Sequence, residues 1–564
     1  MSWTTPWKRY AVTSLVLVLI PLPLTLVMRA GIYGLAGATA AILGCGGFAV
    51  LYWWPLGALH LSLQGSRWAR WSIAYLVSIP LFFLALWVAY WGIGSRLAPA
   101  GAGSWGIYLE NTPWWFLATL GLAAIVRRDG IAGRIVRWAG GILLIGGAVA
   151  VSAFVILQDQ YRWPHPGPGR FRIVNARIVD PVSGTVLEGQ HVWIDHARIT
   201  NVIPAEADTS TASVLDAGGR YLMPGLIDAH LHLQVPVEGG TLAFHPGLFF
   251  GSLVTSYAPH RRSLLEAGVT TIRDLGGAAA VSQRLRDAIN GHRLLGPHMV
   301  TVARLVTSPG GHPVGTIWPR ELSRTGAIQA SDSTAMIAAL TTDLRAFHPD
   351  GLKLIYGTIG RAPTRLDPRL LRIAADWGRA NGLWVAVHAE TEEEVMTAVL
   401  AGATTVEHVG SMESLPGSLI QAIKTRKPWL DATLGEWLKA MQLGKRDSAD
   451  VRRGLEQRFR QLRRLRDAGA RFIVGTDAPL VPYGAGLHDE LALLQRAGFT
   501  TRELIRMVTV NNAEALGLGG DLGRIAAGCR ADLILVDGNP FDDIRALRRP
   551  AVVIRDGEVV QERR

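Results

Sequence analysis

Six residues with the chemistry of metal ligands close short apolar runs in the later part of this 564-residue chain. His230 and His232 lie in GLIDAHLHL, Lys353 in DGLKLIYG, His388 in VAVHAE, His408 in TTVEHVG and Asp477 in VGTDAPL. An HxH pair on a strand presents both imidazoles to one face, so the two can bind one ion. A lysine between Leu352 and Leu354 in a strand is costly to bury unless it has a task. Any one of these residues has a plain explanation as a satisfied core histidine or a capping aspartate. Six of them on five strand ends are better explained by a metal site.

Elements able to position such a set are visible around it. Eight strand-like runs, near residues 225–232, 269–274, 298–303, 351–355, 383–388, 404–408, 428–431 and 472–477, alternate with helical segments. Strand–helix alternation implies parallel βαβ units, and eight of them close a (β/α)8 TIM barrel whose chemistry sits at the C-terminal strand ends. Short alternating runs at 171–178, 190–194 and 199–203, with others at 531–536 and 552–560, predict a β-sandwich built from both ends of the domain. The predicted fold is therefore α/β, a TIM barrel at 223–521 with a composite β-sandwich at 170–222 and 522–564.

The motifs PGLIDAHLHL, GVTTIRDLGG, the strand-end lysine, VHAE, VEHVG and GTDAP resemble the metal-dependent amidohydrolase superfamily. The tail from Val508 to Asp543 is similar to that family's C-terminal signature. The order of ligands and the SPGGHP turn at 308–313 are most similar to its imidazolonepropionase-like and Xaa-Pro dipeptidase (prolidase)-like branch. The likeness covers roughly residues 171 to 560. It implies two divalent metal ions. His230, His232 and Asp477 would hold the first and His388 and His408 the second, with a CO2-derived carbamate on Lys353 bridging both. Zinc is the default for a His/carboxylate set.

The expected chemistry is hydrolysis of a C–N bond in a small amide, cyclic amide or dipeptide by metal-activated water. Asp477 is the candidate general acid/base as well as a ligand. His312, in the Gly-rich turn, could hydrogen-bond a developing oxyanion, and Tyr356 could orient substrate. Asp228 and Asp274 read as supporting residues. The same site could open lactones or cleave phosphotriesters, and a catalytically silent ligand sensor is the alternative of another class.

The first 160 residues read differently. Apolar runs at 10–28, 31–54, 72–94, 112–126 and 138–157 predict an all-α transmembrane domain of about five helices. Thirteen of the nineteen tryptophans precede Pro164, several at run ends where indoles favour a bilayer interface. Residues 161–169 (YRWPHPGPG) read as a linker. Lys/Arg clusters fall on alternate loops, which predicts a multi-pass integral membrane protein with an extracytoplasmic catalytic domain. Of the net +12, residues 1–157 carry +8, from ten Lys or Arg against Glu110 and Asp129. The excess basic charge thus accompanies the apolar region, and no phosphate-binding loop is present, so nucleic acid is not an expected partner. The expected partners are a small amide or peptide, the membrane and further copies of the chain in a homo-oligomer. Cys45 and Cys529 belong to no paired motif.

Overall fold

The computed structural model describes residues 169–234, 257–318, 320–357 and 364–563. They belong to the second of two units into which the chain divides, Arg162–Arg564. Alternation of buried and exposed residues makes β1 (Arg170–Asp180) a strand, and it pairs antiparallel with β2 (Thr185–Asp195). Next come β3 (Arg198–Pro204), β4 (Ser213–Asp216) and β5 (Tyr221–Pro224). The chain then leaves this sheet for about 300 residues and returns to it.

The excursion contains β6 (Leu226–Leu231), β7 (Val269–Asp274), β8 (His298–Thr301), β9 (Leu305–Thr307), β10 (Ala327–Gln329), β11 (Gly351–Ile355), β12 (Trp384–His388), β13 (Thr405–Glu407), β14 (Trp429–Asp431) and β15 (Arg471–Ile473). All pairings among them are parallel. Two bridges join the sheet β6-β7-β8 to the run β11-β12-β13-β14-β15: Val302 with Gly351, and Leu231 with Ala478. Ala229 N–H donates to Val474 O (3.0 Å) and Thr476 N–H to His230 O (3.0 Å), which closes the ring. The result is an eight-stranded parallel barrel, with β9 and β10 as an added pair at its side.

Helices cover the outside, and several of them are capped by a side chain at the N-terminus. Pro368–Ala380 starts on Asp367, which accepts from Arg369 N–H, and buries Leu370, Leu371, Ala374 and Ala375. Glu392–Ala401 starts in a Thr391/Glu394 capping box and stops at Gly402, whose φ of 83° costs a glycine little. Inside the barrel a second apolar cluster forms a floor from Ile227, Ala229, Trp384, Ala386, Trp429 and Ile473, plugged by Ala513, Leu516 and Leu522. Burial of each large side chain there contributes about 1.5–3 kcal/mol.

The last strands, β16 (Leu533–Val536), β17 (Val552–Arg555) and β18 (Glu558–Glu562), rejoin the first sheet. β16 lies antiparallel to β5, and the order is β18-β17-β16-β5-β1-β2-β3 with β4 beside β1. Ile173, Ile194, Leu222, Leu533 and Ile554 share its core with Cys529.

The expected integral-membrane localisation is corrected here. Among the described residues no helix is long and apolar enough to cross a membrane. The longest, Ser448–Asp467, has the length but carries seven arginines and three acids. The five predicted spans, within residues 1–160, lie outside the described residues.

One helix pair yields a pH-dependent expectation. Glu490, on Ala485–Arg496, accepts from Leu434 N–H (3.0 Å) and Gly435 N–H (2.7 Å) at the start of Leu434–Leu443. Burial pushes its carboxyl up to about 7, against the pull of those two N–H groups. Between about pH 4.5 and 7 the folded chain keeps a proton that the unfolded chain has released, so stability falls as pH rises through that window. Glu490→Gln removes this slope. Relative to wild type it should gain on the order of 3 kcal/mol between pH 4.5 and 7.5, at about 1.4 kcal/mol per pKa unit. Denaturant unfolding at both pH values checks this, and an unchanged difference between the two proteins would sink it.

Candidate active site

Strand geometry delivers the candidate residues to one end of the barrel. On β6, Ile227 and Ala229 face the floor cluster, yet His230 and His232 also turn inward. A register shift between Asp228 and Leu231 explains the change of face, since a bulge re-aims the side chains that follow it. His408 and Asp477 have φ of 69° and 56°, and Thr433, which contacts His408, has 45°. Left-handed non-glycine residues cost on the order of 1–3 kcal/mol each and gather at functional sites. Gly475 permits the closest approach. A Cβ there would lie 2.3 Å from His230 Cβ and 2.4 Å from Asp431 Oδ2.

His230 Nε2 lies 3.4 Å and His232 Nε2 3.1 Å from Asp477 Oδ1. Donors about 2.1 Å from a shared ion at tetrahedral angles sit about 3.4 Å apart, so this spacing fits a metal. The His388 and His408 rings are 4.2 Å apart between centroids, and those of His408 and His230 4.9 Å. His230, His408 and Asp477 each offer a ligand atom within 4.8 Å of the others. His408 thus lies between the two ligand groups expected from the sequence, near His388 on one side and His230 and Asp477 on the other. The second nitrogens are held as metal-bound imidazoles require: His232 Nδ1 is 3.0 Å from Gly276 O and His408 Nδ1 is 2.8 Å from Thr433 Oγ1. His230 Nε2, His388 Nε2 and Lys353 Nζ are buried with no hydrogen-bond partner among the described residues. Three orphaned nitrogens aimed at one cluster are what metal ligands look like without their ions.

Charge is tuned by burial and by neighbours. Burial brings the Lys353 amine down to about 8, although Glu407 and Asp477 oppose it. Burial, then Lys353, lowers His230 to about 4, which leaves a neutral imidazole. Burial works against the Asp477 carboxylate, but His230 and His232 hold it down at about 2. His312 sits beside the cluster, 5.5 Å from His388 by ring centroids, with Nδ1 2.7 Å from Thr316 Oγ1. Burial and His388 keep it neutral, well below the usual histidine range.

Tyr356 is placed differently. It is three residues from Lys353, hence on the opposite face of the strand. It packs in the apolar layer outside the strands, with the Arg365 guanidinium 5.0 Å from its ring centroid. Asp228 braces the turn into the site by accepting from His230 N–H (3.2 Å) and Thr476 Oγ1 (2.8 Å). Asp274 accepts from Gly276 N–H (3.1 Å).

Sequence reading missed Arg273, Glu407 and Asp431, which lie under the imidazoles. The reasoning applied to Lys353 and Asp477, a charge within a barrel strand or an acid at its end, would have found all three. Glu390 and Glu436 were also missed. Glu390 Oε1 is 3.4 Å from His388 Nε2. Burial, then Asp477, Glu390 and Glu490, push the Glu436 carboxyl well above its usual range.

A parallel eight-stranded barrel gathers imidazoles, a buried lysine and an aspartate at its C-terminal strand ends, a set of candidate metal ligands. Comparison with known proteins gives the class. The Amidohydrolase family model matches residues 221–560, and the chain belongs to that family, whose members here are hydrolases acting on C–N bonds. It is 25% identical to an imidazolonepropionase of Chromobacterium violaceum over 430 residues, covering 66% of this chain and 92% of that protein. It is 24% identical to an ochratoxinase of Aspergillus niger over 425 residues, 68% of this chain and 84% of the relative. Among solved structures, an Xaa-Pro dipeptidase with methionine in its active site is similar at a TM-score of 0.60 and 23% identity, covering 69% of this chain and 99% of that one. A putative prolidase from Bifidobacterium longum is similar at 0.58 and 27%, covering 70% and 96%.

Proposed function

We propose that the chain is a binuclear metal hydrolase that cleaves the C–N bond of a small amide, cyclic amide or dipeptide. The observation that carries this reading is the convergence of His230 Nε2, His232 Nε2 and Asp477 Oδ1 beside the orphaned nitrogens of His388 and Lys353. His230, His232 and Asp477 would hold one ion and His388 and His408 the other, with a carbamate on Lys353 between them. Zinc suits this donor set. When bound, the ions supply an acidified water and polarise the scissile carbonyl. Asp477, ionised at neutral pH, is placed to accept a proton from the attacking water and return it to the leaving nitrogen. His312, neutral beside His388, can donate a hydrogen bond to the developing oxyanion. The similarity to an Xaa-Pro dipeptidase supports a dipeptide or N-acyl amino acid, and that to an imidazolonepropionase supports a cyclic amide.

The test is metal content of the purified full chain, followed by turnover of dipeptides, N-acyl amino acids and cyclic amides beside a lactone and a phosphotriester. About two ions per chain with amide turnover is the expected result. Metal-free protein after purification in zinc-supplemented buffer, or turnover of the esters alone, would overturn it.

A further inference from the structure

Below the imidazoles a fully buried ionic group crosses the barrel interior. Arg273 on β7 donates through Nη2 to Glu407 Oε1 (2.9 Å) and through Nη1 to Thr405 Oγ1 (2.9 Å), both on β13. Its Nε–H donates to Ala229 O, and its guanidinium lies 5.2 Å from the Trp384 ring centroid. The Thr405 hydroxyl donates to Glu407 Oε1 as well. Glu407 therefore has one oxygen committed and the other, Oε2, turned to His230 Nδ1 at 3.1 Å. Asp431 Oδ2 forms a hydrogen bond with the same nitrogen (3.3 Å), while its Oδ1 accepts from Gly475 N–H (3.0 Å).

We propose that Glu407, held by Arg273, is a positioning residue that fixes the tautomer and aim of His230. The proposal rests on the metal-hydrolase reading. An imidazole that donates Nδ1–H to a carboxylate has its lone pair on Nε2, the atom that faces Asp477 and lacks a partner. Asp431 Oδ2 is the aligned hydrogen-bond acceptor at Nδ1, and Glu407 Oε2, nearer at 3.1 Å, makes an ion-pair contact there and has no hydrogen-bond partner of its own among the described residues. Arg273 offsets its charge, so the carboxylate persists in a site without solvent. Three groups with no exposed surface, drawn from β6, β7 and β13, thereby govern one ligand bond. His230, Glu407 and Asp431 are also close enough to enclose a small cation. Arg273 beside Glu407 disfavours a cation there, and a proton on Nδ1 satisfies the geometry.

The experiment measures zinc stoichiometry and affinity by chelator competition on the full chain, for wild type, Glu407→Gln, Arg273→Met and the double variant. Glutamine keeps the shape and an acceptor oxygen but loses the charge. Affinity at one of the two ions should fall about 10–100-fold in Glu407→Gln, with the other unchanged. Arg273→Met should lower the affinity of that same ion. Because Arg273 acts through Glu407, the double variant should bind zinc as Glu407→Gln does, with no further loss. The double variant also removes both buried charges, so it keeps the test open if Arg273→Met does not fold. Wild-type affinity in Glu407→Gln overturns the proposal, as does additive loss in the double variant. A third ion per chain that vanishes in Glu407→Gln overturns it too, by making Glu407 a ligand. Wild-type protein that takes up no zinc removes the metal-hydrolase reading itself, an outcome separate from these.

Discussion

Asp477→Asn should lower kcat for amide hydrolysis by about 10²–10⁴-fold, the usual worth of a positioned acid/base. Asparagine keeps an oxygen 3.1–3.4 Å from the two imidazoles of the HxH pair but can neither take nor return a proton. The effect should fall on kcat more than on KM, because proton transfer is a need of the transition state. In wild type His230 and His232 hold the Asp477 carboxyl at about 2. Its depressed value keeps the base ionised across the working range, so Asp477 itself imposes no acid limb on the pH profile above about pH 3. Steady-state kinetics on zinc-loaded variant and wild type decide the matter. A variant with full metal and more than a tenth of the wild-type kcat would exclude Asp477 as the proton carrier.

Lys353→Met should also damage activity while sparing the fold. On the proposed reading Lys353 supplies the bridging ligand, so its loss should leave about one ion per chain and lower kcat/KM by at least about 10³-fold, since one ion contributes several kcal/mol to the transition state. The fold should be as stable or more so. Methionine has a similar volume, and the native amine is buried without a hydrogen-bond partner among the described residues. The same burial predicts how the site is assembled. With the Lys353 amine brought to about 8, its neutral, CO2-reactive fraction falls about tenfold per pH unit below that value and levels off above it. Reactivation of metal-stripped protein by zinc at a fixed concentration of dissolved CO2 should therefore quicken from pH 6 to 8 and then plateau. Metal analysis, thermal melting and reactivation rates check these outcomes. A Lys353→Met protein with two ions and full activity would remove lysine from the site.

Much of the candidate site was legible in the chain before folding. A strand buried on both faces leaves a short apolar run, and a ligand at its end interrupts that run visibly, as at His388 and Asp477. Eight such runs separated by helical segments also announce a parallel ring, because each signal is local. The apolar runs in residues 1–160 were read by the same length rule, but the membrane localisation drawn from them does not stand. Among the described helices the one long enough to span is heavily charged.

What only the tertiary structure decided depends on register and closure. The bulge in β6 turns His230 inward although its strand neighbours Ile227 and Ala229 face the floor, and no period-2 count foresees a bulge. Strand parity sends Tyr356 into the outer layer, away from Lys353. Arg273 and Glu407 are 134 residues apart and meet only because β7 and β13 face each other across the barrel. The types and order of the donors are set by the sequence, since each is a one-residue choice at a strand end. Which nitrogen points where, and which buried charge offsets which, is a non-local matter, because a buried polar group finds its partner only once the ring has closed.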